Sequence, residues 1–175
     1  MKVTILREAG HEEAMLGLSL SYNADPDRMP ARAAKLAHMD GGHNKFLESM
    51  AVWLDITAPR YWWQQFAEYR VGRSNQSEST MHTLMRTSIT EDMFTNDVYP
   101  EIIWLCERIR RSGDIQKLKA NLPEGFLQRR QIATNYKTIR HIVAQRHDHK
   151  LPEWHVFCET MRGLEHRHFI FGGEA

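Results

Sequence analysis

Leu47–Gly72 reads LESMAVWLDITAPRYWWQQFAEYRVG. Through Thr57 the apolar side chains Met50, Val52, Leu54 and Ile56 recur at every second residue, with Trp53 on the other side, which is the period of a strand. Ala58-Pro59 ends that alternation. Pro59 stands where a helix has no use for its missing N–H, and RYWWQQFAEYR then runs without a breaker as far as Gly72, which predicts a helix. The segment thus mixes strand and helix, and α+β is the expected class. A chain of 175 residues is long enough for one substantial core and short for two, so a single domain over residues 1–175 is expected.

Working outward, Val3 and Ile5 alternate with polar neighbours between Met1 and Leu6, as in a short strand, and Glu12–Leu20 carries apolar residues at helical spacing. Tyr22–Pro30 (YNADPDRMP) is rich in turn formers and predicts a loop before a helix over Ala31–Met39, which Gly41-Gly42 ends. Arg73–Thr80 (RSNQSEST) is polar and hydroxyl-rich and reads as a surface loop. Val98–Arg111 places Ile102, Ile103, Cys106 and Ile109 on one helical stripe, with arginines at the negative pole of the dipole and Ser112-Gly113 as the stop. Gly125–Asn135 (GFLQRRQIATN) predicts a strand with Phe126, Gln128, Arg130 and Ile132 on one face. Asn135 is a good N-cap for a helix over Tyr136–Arg146, and Pro152 opens a last helix through Arg167. There is no internal repeat and no low-complexity tract.

Composition narrows the function classes. With 23 Lys+Arg against 22 Asp+Glu the formal charge is +1, so no global field holds a nucleic-acid backbone and any phosphate must be bound locally. No window stays apolar for the length a bilayer requires, and the N-terminal apolar run is too short for a signal segment; a cytoplasmic protein without a membrane partner is expected. Cys106 and Cys158 lack a CxxC partner and read as buried, reduced thiols. His141, His147, His149 and His155 lie close together, but their spacing fits no HExxH, finger or facial triad, so no metal is expected. Tyr61, Trp62, Trp63 and Phe66 read as core rather than as a base-stacking platform, and neither a P-loop, a GxSxG nor a Rossmann glycine set is present.

The string His43–Thr80, HNKFLESMAVWLDITAPRYWWQQFAEYRVGRSNQSEST, resembles the central segment of flavin-dependent thymidylate synthases: a His…Glu pair, a strand, Ala-Pro, a helix and the signature RHRxxSxNxxSxR. Spacing agrees without a gap through Asn75, and a second block, LPEGFLQRRQIATNYKTIRHIVAQR (Leu122–Arg146), agrees in order as Leu-Pro, strand, Asn, helix and terminal Arg. The resemblance covers roughly Gly42 to Trp154. It implies an antiparallel sheet flanked by helices, and a homotetramer with sites at subunit interfaces. Its implied reaction is reductive transfer of a one-carbon unit from methylenetetrahydrofolate to carbon 5 of deoxyuridylate, with FAD and NADPH. The chain departs from the signature in three places. Glu68-Tyr69-Arg70 stands for RHR, Arg73 for the first Ser, and Glu78-Ser79-Thr80 for the last SxR.

Residue by residue, the resemblance implies flavin contacts at His43, Lys45, Glu48, Tyr69, Arg70, Asn75, Asn135, Lys137 and His141. It implies pyrimidine nucleotide contacts at Gln65, Gln76, Ser77, Glu78, Ser79, Thr80 and Lys119, the last matching a phosphate-binding Arg. Arg146 matches the cation placed against the pyrimidine ring, where a fixed charge favours the ionised N3 form and makes carbon 5 more nucleophilic. Each residue also has a plainer role open to it. Arg70 and Arg146 suit helix ends, Arg146 within a basic run with His147, His149 and Lys150; Asn135 suits a cap, and His43 with Glu48 can simply begin a strand. Two other activities remain open: methylation or hydroxymethylation of another pyrimidine nucleotide such as deoxycytidylate, and flavin or nucleotide binding without catalysis.

Overall fold

A computed structural model describes residues 1–172. The chain opens with β1 (Lys2–Ala9) and α1 (His11–Leu20). Between them Gly10 holds φ 93°, and a Cβ there would lie 2.2 Å from the Ser49 carbonyl oxygen, so only glycine fits the corner. Next come α2 (Pro30–Leu36), β2 (Ala51–Pro59), α3 (Arg60–Phe66), β3 (Ser74–Ser77) and α4 (Thr80–Thr83). The order ends with α5 (Pro100–Arg111), α6 (Ile115–Asn121), β4 (Leu127–Asn135), α7 (Tyr136–Arg146), α8 (Pro152–Met161) and α9 (His168–Phe171), and short 3-10 turns fall at Pro26–Arg28, Lys45–Glu48 and Glu91–Met93. The four strands form one antiparallel sheet in the order β1-β2-β4-β3, so the α+β class with its antiparallel sheet is what the chain adopts.

β2 follows its sequence period: Val52, Leu54, Ile56 and Ala58 are fully buried while the alternate positions are half open. Burial of each Val, Leu or Ile contributes about 1.5–3 kcal/mol, which pins the register, since a slip by one residue would turn all of them outward.

The described residues form two compact units, one of residues 1–2, 56–68 and 76–130, the other of residues 3–55, 69–75 and 131 onward. In the first, Leu84, Phe94, Ile103, Cys106, Leu118 and Phe126 are among the residues of a continuous core. The first two N–H groups of α3 are taken by the carbonyls of Phe126 and Glu124, and Trp63 donates its indole N–H to the Gln128 carbonyl at 2.9 Å. In the second unit, Leu47, Met50, Tyr136, Ile139, Ile142, Trp154 and Phe157 are buried. Both cysteines are buried free thiols; burial raises both, Cys158 to about 11.

Several elements differ from the sequence expectation. α3 stops at Phe66 rather than continuing to Gly72, its last turn tightening so that Glu68 N–H bonds Gln65. The expected loop Arg73–Thr80 contains the strand β3, whose side chains are all exposed and so carry no apolar period. α6 was unexpected because a single side chain, Leu118, is its buried contribution. The last helix ends at Met161, where Arg162 and Gly163 bond three residues back, and α9 forms separately.

Candidate active site

α7 carries candidate residues at both ends. Tyr136, Ile139, Ile142 and Val143 bury its inner stripe, which brings Arg146 to a half-buried position on the last turn. Its Nε donates to the Tyr69 hydroxyl at 2.7 Å. Its guanidinium carbon lies 4.8 Å from the ring centroid of Trp154 and 5.5 Å from that of Tyr69. Trp154 is fully buried and Tyr69 nearly so, and the two rings meet edge to face at 6.1 Å. Each cation–π contact of this kind is worth about 0.5–2 kcal/mol. The ring of His141 stands edge-on to Tyr69 at 6.0 Å, and the Tyr69 carbonyl accepts Arg73 Nε. His149, 6.2 Å from Trp154, has its imidazole pKa lowered, first by burial and then by Arg146, His155 and Lys150.

At the other end, Asn135 Oδ1 accepts the Thr138 N–H at 2.9 Å, which confirms the expected cap. The loop that follows Tyr69 is strapped to this turn. Thr134 Oγ1 donates to the Gly72 carbonyl at 3.0 Å and Thr138 Oγ1 to that of Val71 at 3.3 Å. Gly72 holds φ 70°, and a Cβ there would meet Thr138 Oγ1 at 2.4 Å and the Asn135 amide nitrogen at 2.9 Å. This close approach requires glycine. Arg70, two residues earlier, is exposed. Asn75 is exposed on β3.

His43, Lys45 and Glu48 gather around the 3-10 turn before β2, where they line a cleft of about 400 Å³ whose apolar wall includes Leu18, Leu36 and Phe46. Glu48 is also ion-paired with Lys137 on α7, so two of the implied flavin residues partner each other.

In the first unit, Gln65 is half-buried on α3, and Gln76 and Ser77 are exposed on β3. Glu78 is tied to β4: its N–H bonds the Arg129 carbonyl at 3.1 Å and its carboxylate accepts the Arg129 N–H at 3.1 Å. Ser79 is the N-cap residue of α4, and Lys119 Nζ donates to Thr80 Oγ1 at 3.1 Å. The expected phosphate residues Thr80 and Lys119 are thus adjacent, whereas the Glu78 carboxylate is engaged with the backbone. A cleft of about 210 Å³ beside them is lined by Glu78, Thr83, Thr87 and Arg129 over an apolar floor.

Sequence reasoning did not single out Gly72, Thr134 or Thr138. The spacing Asn135-x-x-Thr138 at a helix start was the available signal, because a hydroxyl in the first turn can reach a neighbouring backbone. Among the described residues no group of three or more His, Cys, Asp or Glu is placed to hold a metal, and no helix is long and apolar enough to cross a membrane.

The flavin-dependent thymidylate synthase ThyX of Helicobacter pylori, in a crystal structure complexed with FAD and dUMP, superposes with a TM-score of 0.80 over 98% of this chain and 98% of that one. The two share one fold. A second crystal structure of ThyX from the same organism, also with FAD and dUMP, gives a TM-score of 0.78 over 97% of this chain and 95% of that one. Identity is 15% and 14%, so the likeness is one of fold. No protein-family model and no curated sequence matches the chain.

Proposed function

We propose that the protein is a flavin-dependent enzyme of the thymidylate synthase kind, which transfers a one-carbon unit from methylenetetrahydrofolate to carbon 5 of deoxyuridylate. The observation that carries this reading is the seat of Arg146: a cation fixed by a hydroxyl and two aromatic faces, at the position the sequence resemblance assigns to the pyrimidine ring. The shared fold with ThyX supports it over nearly the whole chain.

The residues present fit FAD. The cleft beside His43, Lys45 and Glu48 offers an apolar wall for a flat ring and polar groups at its rim. Asn135 spends its oxygen on the helix cap, which leaves its amide N–H groups to donate, and exposed Arg70 provides a guanidinium fork for a phosphate. Asn75, Lys137 and His141 complete the proposed flavin set. When bound, FAD supplies the hydride that completes the methyl group, and NADPH restores its reduced form.

The chain's own residues act on the nucleotide. Arg146 stabilises negative charge on the ring as carbon 5 attacks, without reorganising to do so. Gln65 holds the base through its amide. Ser77, Ser79 and Thr80 donate hydroxyl or backbone N–H bonds to the phosphate, with Gln76 alongside and Lys119 supplying the cation. The same reading expects a homotetramer in the cytoplasm, built as a single domain.

A second reading, a different pyrimidine nucleotide such as deoxycytidylate, is open because the amide of Gln65, proposed for the base, can both donate and accept and so suits either ring. For either nucleotide the Glu78 carboxylate stands in the phosphate-loop register, where a charge repels a dianion by about 1 kcal/mol even when solvent screens it. Visible spectra with and without added FAD, followed by product analysis with deoxyuridylate and deoxycytidylate, test both readings. Bound flavin and a product methylated at carbon 5 are expected. A protein that binds no FAD at tens of micromolar (on the order of 10 μM, a weak affinity) contradicts the proposal, and turnover of deoxycytidylate alone selects the second reading.

A further inference from the structure

Arginine presents five N–H donors in a rigid plane, so which donor is already engaged decides which edge faces a ligand. In Arg146 the inner donor, Nε–H, is spent on the Tyr69 hydroxyl at 2.7 Å. Its two terminal amines make no hydrogen bond or ion pair among the described residues. The guanidinium carbon lies over the ring of Trp154 at 4.8 Å and over that of Tyr69 at 5.5 Å. What remains is the outer fork, two parallel amines spaced to meet two adjacent acceptors on the edge of a planar ring.

Tyr69 is well placed to impose this orientation because it cannot easily move itself. Its side chain is nearly buried, its ring is packed edge-on to Trp154 at 6.1 Å and to His141 at 6.0 Å, and its carbonyl accepts Arg73 Nε. Downstream, the bonds from Thr134 and Thr138 to the Gly72 and Val71 carbonyls fix the loop it leads into. In the signature that the sequence resembles, histidine stands in this register; here it is Tyr69, whose hydroxyl accepts Nε–H.

We propose that Tyr69 is the positioning residue of the reaction, its hydroxyl holding the Arg146 guanidinium so that the terminal fork meets the pyrimidine edge. The inference rests on the reading of Arg146 as the cation at the nucleotide, and it replaces a direct flavin contact as the main role of the Tyr69 side chain.

Tyr69→Phe removes the hydroxyl and keeps the ring, so packing and the cation–π face survive. In steady-state turnover of the pyrimidine nucleotide, kcat falls about 10- to 100-fold, in the range that small misplacements of a reacting group produce. KM for the nucleotide and affinity for FAD change by less than about twofold. In an Arg146→Ala background the same substitution lowers kcat no further, because a residue that acts only through Arg146 has nothing left to position. A readout that needs no substrate accompanies these: the Arg146 Nε–H proton resonance exchanges slowly with solvent in the parent protein and rapidly in Tyr69→Phe.

Unchanged kcat in Tyr69→Phe overturns the inference, as do independent, additive losses in the double variant. An Nε–H that exchanges as fast in the parent as in Tyr69→Phe overturns it whatever the activity. A slowly exchanging Nε–H in a protein that turns over no pyrimidine nucleotide refutes the proposed function itself, and the positioning role falls with it.

Discussion

Arg146 and Lys119, the two cations proposed for the nucleotide, are built in opposite ways. Arg146 is half-buried, hydrogen-bonded through Nε and bracketed by the rings of Trp154 and Tyr69. Lys119 is exposed, and among the described residues its ammonium reaches a single hydroxyl, that of Thr80. The difference separates two tasks that positive charge performs in a site. Stabilising charge that develops on a ring requires fixed direction, and a planar side chain seated in advance provides it. Holding a phosphate that is already charged requires only proximity, for which a flexible ammonium is adequate.

The largest expected effect tests the seated side of this comparison. Arg146→Ala lowers turnover by about 10²–10³ while leaving flavin binding nearly intact, as loss of one preorganised charge generally does. Steady-state kinetics and a flavin titration on the same preparation measure both halves. Activity equal to the parent would return Arg146 to the part of a helix-end charge.

The next asks whether the looseness of Lys119 belongs to the side chain or to its scaffold. α6 packs on α5, where the Glu107 carboxylate accepts the Ile89 N–H at 2.9 Å, Arg110 at 2.7 and 2.8 Å, and Arg111 at 2.8 Å. The Arg110 hydrogen bond, followed by the Ile89 N–H and the Arg111 bond, holds this carboxyl far below the usual carboxylate range. A depressed carboxyl contributes stability that is complete above its unfolded value of about 4.3 and is lost as pH falls toward the native one. Glu107→Gln is therefore expected to destabilise by about 1.5–3 kcal/mol at neutral pH, with the gap closing below about pH 4. Urea melts across pH measure it; a gap that persists in acid would show that the carboxylate charge is not its source.

At the start of α7, Asn135→Ala removes the cap and costs about 1 kcal/mol of stability. If the amide nitrogen also serves the flavin, FAD affinity drops in the same variant, whereas Asn135→Asp preserves the cap and loses only the donor. Equal FAD affinity in all three proteins would confine Asn135 to capping. The smallest effect is assigned to Lys119→Ala, for which nucleotide affinity falls about fivefold or less, the range of an exposed ion pair. A loss of a hundredfold by calorimetry would place Lys119 among the seated cations and end the contrast.

Where residues bury side chains, the sequence was readable. Val52, Leu54 and Ile56 announce β2 by their period, and Ile139, Ile142 and Val143 announce α7, so Asn135 and Arg146 fall at its ends as expected. β3 could not be read this way, because Ser74-Asn75-Gln76-Ser77 is specified by backbone pairing alone and polar side chains carry no record of it. Tyr69 is a similar case within the candidate site. Its place in the signature register was evident, but its bond to Arg146 joins residues 77 positions apart, which no local pattern encodes.

Among the described residues β3 lies at the edge of the sheet, paired with β4, and none of its side chains is buried. A strand of this kind separates from its neighbour for a small fraction of the free energy of global unfolding, so its amide hydrogens trade with solvent ahead of those of β2. Ser77 ends this strand, and Ser79 and Thr80 follow at the start of α4, so the hydroxyls proposed for the phosphate adjoin the part of the sheet that can shift at little cost to the core.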